Sequence, residues 1–149
     1  DIYLTGDPFL QIQEAIATLG CHFLNVPLLD HDGKTVFSNG GHLYCSVHGE
    51  EMHVGAGTAF QQVAAERFQR ERMFLSTFLF GGASVVRKDT FERIGGFDEG
   101  MFIGFEDLDF SVRIFREGLK VGNVSCFDFI HAHEQPVTGA DVDYERVRF

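Results

Sequence analysis

Glu106, Asp107, Asp109 and Arg113 follow a glycine-rich turn, Gly95-Gly96-Phe97-Asp98-Glu99-Gly100, and form the densest chemistry in the chain. A carboxylate held at the mouth of a helix can act as a general base toward a hydroxyl proton. From Phe105 the residues Phe105, Leu108, Val112 and Phe115 recur at steps of three and four, which predicts one buried helical face. Glu106, Asp109, Arg113 and Arg116 follow the same steps on a flank. Asp107 belongs to neither stripe, because at about 100° per residue it falls beside Phe110 and Ile114 on a third, partly apolar sector. The same residues also have a purely structural reading. The helix dipole favours acids in a first turn, and Asp109 with Arg113 makes an ordinary i, i+4 ion pair.

The elements that must position these groups can be read along the chain. Asp7 and Pro8 open a helix whose apolar positions are Phe9, Ile12, Ile16 and Leu19 and which Gly20 ends. Residues 22–29 read as one strand, and Asp30-His31-Asp32-Gly33 as a hairpin turn rather than a metal site, with the return strand beginning at 35–37. The interval 38–57 holds His42, His48, His53, Glu50 and Glu51 without metal-ligand spacing, and is expected to be a solvated, mobile loop. A helix is expected over 58–72, on Phe60, Val63, Ala64 and Phe68. Two β-prone runs, 74–80 and 83–86, flank Gly81-Gly82, which marks either a bulge or a close backbone approach by a ligand. Asp89 and Glu92 suggest a capping box on a short helical turn that Gly95 ends, with Phe91 and Ile94 facing inward. After the main helix stops at Gly118, strands are expected at 120–124 and 127–130, then His131-Ala132-His133-Glu134, with a polar tail from Gly139.

With 149 residues and 16.7 kDa the chain is one domain's worth, long enough for a core. Twenty-two acidic against 12 basic residues give a net charge of −10, the wrong sign for tracking nucleic-acid phosphates, so no nucleic-acid partner is expected. Cys21, Cys45 and Cys126 are an odd set without CxxC spacing, which argues against a disulfide scaffold and for a reducing, cytoplasmic setting. The most apolar stretch, 73–86, is too short and too broken by Ser, Thr and Gly to be a transmembrane segment. The chain opens on Asp1, and reads as a piece excised from a longer protein. Any membrane attachment is then expected of that parent, on the cytosolic face.

Taken together, Gly81-Gly82-Ala83, Arg87-Lys88, Gly95-Gly96-Phe97-Asp98-Glu99, Glu106-Asp107-x-Asp109-x-x-x-Arg113 and a histidine near 131 resemble family 2 glycosyltransferases, the inverting enzymes of the GT-A fold. The resemblance is strong over about residues 78–135 and looser before them. It implies an α/β fold, a partial GT-A domain with a mixed sheet flanked by helices. Residues 1–149 would be a single domain, the acceptor-side, C-terminal half of the catalytic domain, with the nucleotide-binding half absent. The implied reaction moves a sugar from a nucleotide-diphosphate donor to a hydroxyl of a glycan or other acceptor, with inversion. The implied catalytic base is Asp107, with Glu106 holding sugar or acceptor hydroxyls and Gly81 and Gly82 admitting the donor sugar. Asp109 and Arg113 would brace the helix. The resemblance also implies a divalent cation, Mn²⁺ or Mg²⁺, with Asp1 as the last Asp of an Asp-x-Asp motif and His131, ahead of His133, as ligands. The loop at 38–57 would help to choose the acceptor. A carbohydrate- or partner-binding module without chemistry stands as the alternative. A calcium loop built on Asp98, Glu99, Glu106 and Asp109 lacks the ligand rhythm of an EF-hand.

Overall fold

A computed structural model describes residues 2–58, 62–67, 73–101, 105–124 and 126–132. Fourteen elements follow one another among them: strand β1 (Ile2–Leu4), helix α1 (Phe9–Leu19), strands β2 (Phe23–Asn25), β3 (Leu28–Leu29), β4 (Val36–Ser38), β5 (Gly41–His48) and β6 (Glu51–Thr58), a 3₁₀ turn (Ala65–Arg67), strands β7 (Phe74–Ser76) and β8 (Ser84–Val86), helices α2 (Lys88–Arg93) and α3 (Glu106–Arg116), and strands β9 (Val121–Asn123) and β10 (Phe129–His131). Two four-stranded mixed sheets carry the fold, ordered β7-β9-β2-β8 and β1-β10-β3-β4. β2 runs parallel to β9 and β3 parallel to β10, so the chain passes through both sheets in step. The single strand expected over 22–29 is therefore two. Between them lies Pro27, which has no N–H to give to a ladder.

The first helix packs on the sheet through Ile12 and Ala15, while Phe9 is 63% exposed instead of joining the buried stripe. Close approach is possible because β9 has a glycine at its centre. A Cβ on Gly122 would press on Leu19, Cys21 and Leu24. On the other side, Phe23, Leu79, Phe110, Ile114 and Val121 form a second core cluster under α3, with Phe91, Ile94 and Leu119 against it.

Two segments depart from the sequence reading. Residues 41–58, expected as most of a loop, form the long hairpin β5–β6, paired from Gly41↔Thr58 to His48↔Glu51 and turned at Gly49, whose φ is +65°. One face of the hairpin carries Leu43, Cys45 and Val47 across from Ala56, Val54 and Met52. That alternation was present in the sequence but was masked by the histidines between. Within 58–72, Thr58 ends β6 and the described remainder is not α-helical. Val36 N donates to Val63 O, Gln62 N to Val36 O and Ala65 N to Lys34 O, so this backbone pairs with the 34–36 segment instead of with itself. Phe60 and Phe68 lie outside the described residues, as does the tail from Gly139.

The capping box at α2 does not form. Arg87 is the N-cap residue with no side-chain cap, Asp89 pairs with Arg87 at 3.1 Å, and Glu92 pairs with Lys88 at 3.7 Å. The turn after α2 does behave as expected, since Gly95 and Gly96 take φ of +95° and +63° and Gly96 N donates to Phe91 O at 3.0 Å. Among the described residues no helix is long and apolar enough to cross a membrane.

The largest correction concerns α3. Its buried residues are Phe110, Ser111 and Ile114, while Phe105 and Phe115 are 68% and 64% exposed. Two apolar stripes at helical spacing compete on this helix. The inner one wins because Phe110 meets three rings, Phe23 edge-on at 5.5 Å and Phe91 and Phe97 each at 5.1 Å. Val112 and Phe115 instead border a groove of about 290 Å³ against Leu43, Tyr44, Cys45 and Val54 of the hairpin. Phe110→Ala should therefore cost about 3–5 kcal/mol in urea unfolding, and Phe115→Ala no more than about 0.5 kcal/mol. Equal losses would show that the outer stripe carries the packing after all.

Candidate functional site

The site is built where the β7–β8 connection meets the first turn of α3. Thr77 and Phe78 are hung from Gly41 O by their N–H groups at 3.3 and 3.2 Å. The next three N–H groups alternate in direction. Leu79 N donates to Ser111 Oγ at 2.9 Å, Phe80 N to Asn25 Oδ1 at 2.7 Å, and Gly81 N to Asp107 Oδ2 at 3.3 Å. Asn25, fully buried in β2, also reaches Phe78 O at 2.8 Å, Ser76 Oγ at 3.1 Å and Asn123 Oδ1 at 3.0 Å through Nδ2. Asn123 Nδ2 passes the chain of bonds on to Asn39 O at 2.9 Å.

Asp107 is half-buried, and that burial raises its carboxyl above the ordinary range, helped by the neighbouring Glu106 charge and opposed by the Gly81 N–H. Glu106 Oε2 is shielded from solvent with no hydrogen-bond partner among the described residues. The Gly81-Gly82 pair sits in a turn rather than in a strand bulge. A Cβ on Gly81 would only touch Asp107, at 3.5 Å, whereas one on Gly82 would collide with the Phe80 ring at 2.5 Å.

Arg113 donates to Asp109 Oδ2 through Nε at 2.8 Å and Nη2 at 2.6 Å, and to Ile94 O through Nη1 at 2.9 Å. Its guanidinium lies 5.1 Å from the Phe110 ring centroid. The pair ties α3 to the end of α2, the bracing role expected from the sequence. Asp98 accepts from Gly100 N at 2.9 Å within its own turn. Among the described residues no three His, Cys, Asp or Glu side chains converge on a metal-sized site.

His131 is the last residue of β10 rather than the first after it, and pairs with Ile2 of β1. Its ring stacks on Phe37 at 4.5 Å and 12°, and Phe37 meets Phe80 edge-on at 6.1 Å. An aromatic path thus joins His131 to the loop that carries Gly81. Asp1 and His133 lie outside the described residues. Sequence reasoning missed Asn25, Ser76, Ser111 and Asn123. Asn25 did leave a signal, as the one amide in the apolar run Phe23-Leu24-Asn25-Val26, where a buried polar group must find partners.

The family described as the N-terminal domain of galactosyltransferase matches residues 61–135. Two curated relatives, from Mycobacterium tuberculosis strains CDC 1551 and H37Rv, each carry the name N-acetylglucosaminyl-diphospho-decaprenol L-rhamnosyltransferase. Each is 33% identical over 84 residues, 56% of this chain and 26% of the relative, so the chain spans about a quarter of their length. Because the family match takes in half of the chain, including the whole of the Gly81 turn, α3 and β10, the chain belongs to this glycosyltransferase family, of the GT-A type.

Proposed function

We propose that this chain is the acceptor-side half of the catalytic domain of an inverting glycosyltransferase, with the nucleotide-binding half elsewhere in a longer protein. The observation that carries the reading is Asp107, a half-buried carboxylate in the first turn of α3 with Gly81 N–H on one oxygen and, beside it, Glu106 Oε2, which has no hydrogen-bond partner among the described residues. In the proposed reaction a hydroxyl of the acceptor gives its proton to Asp107 while its oxygen bonds to the anomeric carbon. The bond from that carbon to the nucleotide diphosphate breaks at the same time, with inversion. Glu106 accepts hydrogen bonds from sugar hydroxyls, and the Gly81-Gly82 backbone lets the donor sugar come close. The names of the mycobacterial relatives support a hydroxyl on a lipid-linked sugar as the acceptor.

A divalent cation, Mn²⁺ or Mg²⁺, would supply neutralisation of the departing diphosphate. Asp1, which lies outside the described residues, and His131 are the residues proposed to hold it.

In the longer protein, Asp107→Asn should lower turnover by roughly 10²- to 10⁴-fold with donor affinity little changed. Near-normal turnover in that variant, together with a dead Glu106→Gln variant, would move the base to Glu106. The pH profile should show the complementary sign. Turnover falls as pH drops through the raised pKa of Asp107, because only the ionised form accepts the proton.

Stability should run the other way. A carboxyl whose folded pKa is raised favours the fold when protonated, and that contribution is lost as pH rises from the unfolded value of about 3.9 through the folded one. At neutral pH the ionised Asp107 thus lowers stability. Asp107→Asn should have a higher Tm than the parent chain at pH 7, with the difference shrinking toward pH 3 in thermal scans. An equal or lower Tm at pH 7 would contradict burial as the dominant influence on this carboxyl.

A further inference from the structure

The loop in front of Asp107 is gripped from two sides, by side chains of α3 and of β2. Leu79 and Gly81 send their N–H groups to Ser111 and Asp107 of α3, while Phe80 between them sends its N–H to Asn25 of β2. The geometry matches. Ser111 and Asp107 are four residues apart on a helix, an axial rise of about 6 Å. Leu79 and Gly81 are two residues apart, and two residues of chain reach up to about 7 Å. Both N–H groups therefore meet the same stretch of helix. Asn25 closes the other side, taking Phe80 N on Oδ1 and giving Nδ2 to Phe78 O, while Ser76 Oγ and Asn123 Oδ1 hold that amide in place. Asn25, Ser111 and Asn123 are all fully buried. An apolar side chain at either Asn25 or Ser111 would leave backbone N–H or C=O groups of the loop unpaired. What the polar residues add is a fixed register between loop and helix.

We propose that Asn25 and Ser111 are positioning residues: by clamping residues 78–81 from opposite sides they keep the Gly81 N–H on Asp107 Oδ2, and that bond sets the orientation in which the carboxylate meets the acceptor hydroxyl. The role in the reaction rests on the reading of Asp107 as the base. The coupling between loop and carboxylate does not, and can be measured on the full 149-residue chain without any substrate.

In a ¹⁵N-labelled sample titrated between about pH 3 and 7, the Gly81 amide should show a chemical-shift step at the pH where Asp107 ionises. Asp107→Asn should abolish the step; a step that persists would mean the amide reports another group, and overturns the inference. Ser111→Ala is the smallest deletion of the clamp, and Asn25→Asp keeps the acceptor for Phe80 while removing the donor to Phe78. Both should shrink the step at least about twofold and speed Gly81 hydrogen exchange at least about tenfold, while Phe110 and Ile114 keep their native shifts. Ser111→Thr, which retains the hydroxyl, should restore the step. An unchanged step in both Ser111→Ala and Asn25→Asp overturns the inference.

In the turnover assay of the longer protein, Ser111→Ala should lower kcat by about tenfold with the donor KM unchanged. Should the step collapse while kcat stays at the parent value, the clamp is upheld and the assignment of Asp107 as the base is what falls.

Discussion

The carboxamide of Asn25 is the contact on which the rest of the structure depends. It sits in an inner strand of a four-stranded sheet with no access to water, and its hydrogen-bonding capacity is filled by Phe78 O, Phe80 N, Ser76 and Asn123. Each such group left unpaired in a core costs about 1–3 kcal/mol, so the partners cannot move independently. Through Asn123 the network reaches Asn39, and Gly40 beside it must lack a side chain because a Cβ there would run into the Asn123 amide. Through Phe78 it reaches Gly41, the first residue of the hairpin. One amide thus sets the start of β5, the path of the β7–β8 connection and the distance of Gly81 from α3.

The third helix explains how such a site can be rigid and open together. Its inner face is spent on aromatic packing at Phe110, on Ile114, and on Ser111, a small polar residue that meets the loop backbone. Its flank is spent on Asp109 and Arg113, which lash the helix to the end of α2. The outer stripe, Phe105, Val112 and Phe115, is left at the surface, with Val112 and Phe115 facing the apolar side of the hairpin across an open groove. Asp107 stands on the inner face in the first turn of the helix, where the packing ends. That position accounts for its half burial and for the direction in which its ionisation is shifted.

Local chemistry was legible in the sequence wherever the signal was local. Gly20, Gly95 and Gly118 each take positive φ at the helix ends that their positions announced, and the Asp30–Gly33 turn forms as its residue types demand. The face of α3 was not legible, because two apolar stripes of equal periodicity share that helix and only the placement of Phe23, Phe91 and Phe97 decides between them. The 58–72 interval failed for a related reason, since residues 62–65 find backbone partners near residue 35, a pairing that helical periodicity cannot register. Asp107 was reached from its helical sector and a family resemblance. The Asn25–Ser111 clamp behind it is non-local, joining residues 86 positions apart through a loop contributed by neither.

Charge places one further condition on the proposed reaction. Glu106 and Asp107 put two carboxylates side by side at the site, and the chain as a whole carries −10. Arg113, the guanidinium nearest in sequence, is committed to Asp109 and to Ile94 O. A diphosphate leaving group brought to this loop would meet negative charge with that cation already engaged, a repulsion that burial strengthens by lowering the local dielectric. Positive charge must then arrive with the donor or from the half of the domain that binds it. This argues for the divalent cation in the proposal on grounds separate from family likeness, and under that proposal the site at Asp107 would place and activate the acceptor while the charge of the donor would be held elsewhere.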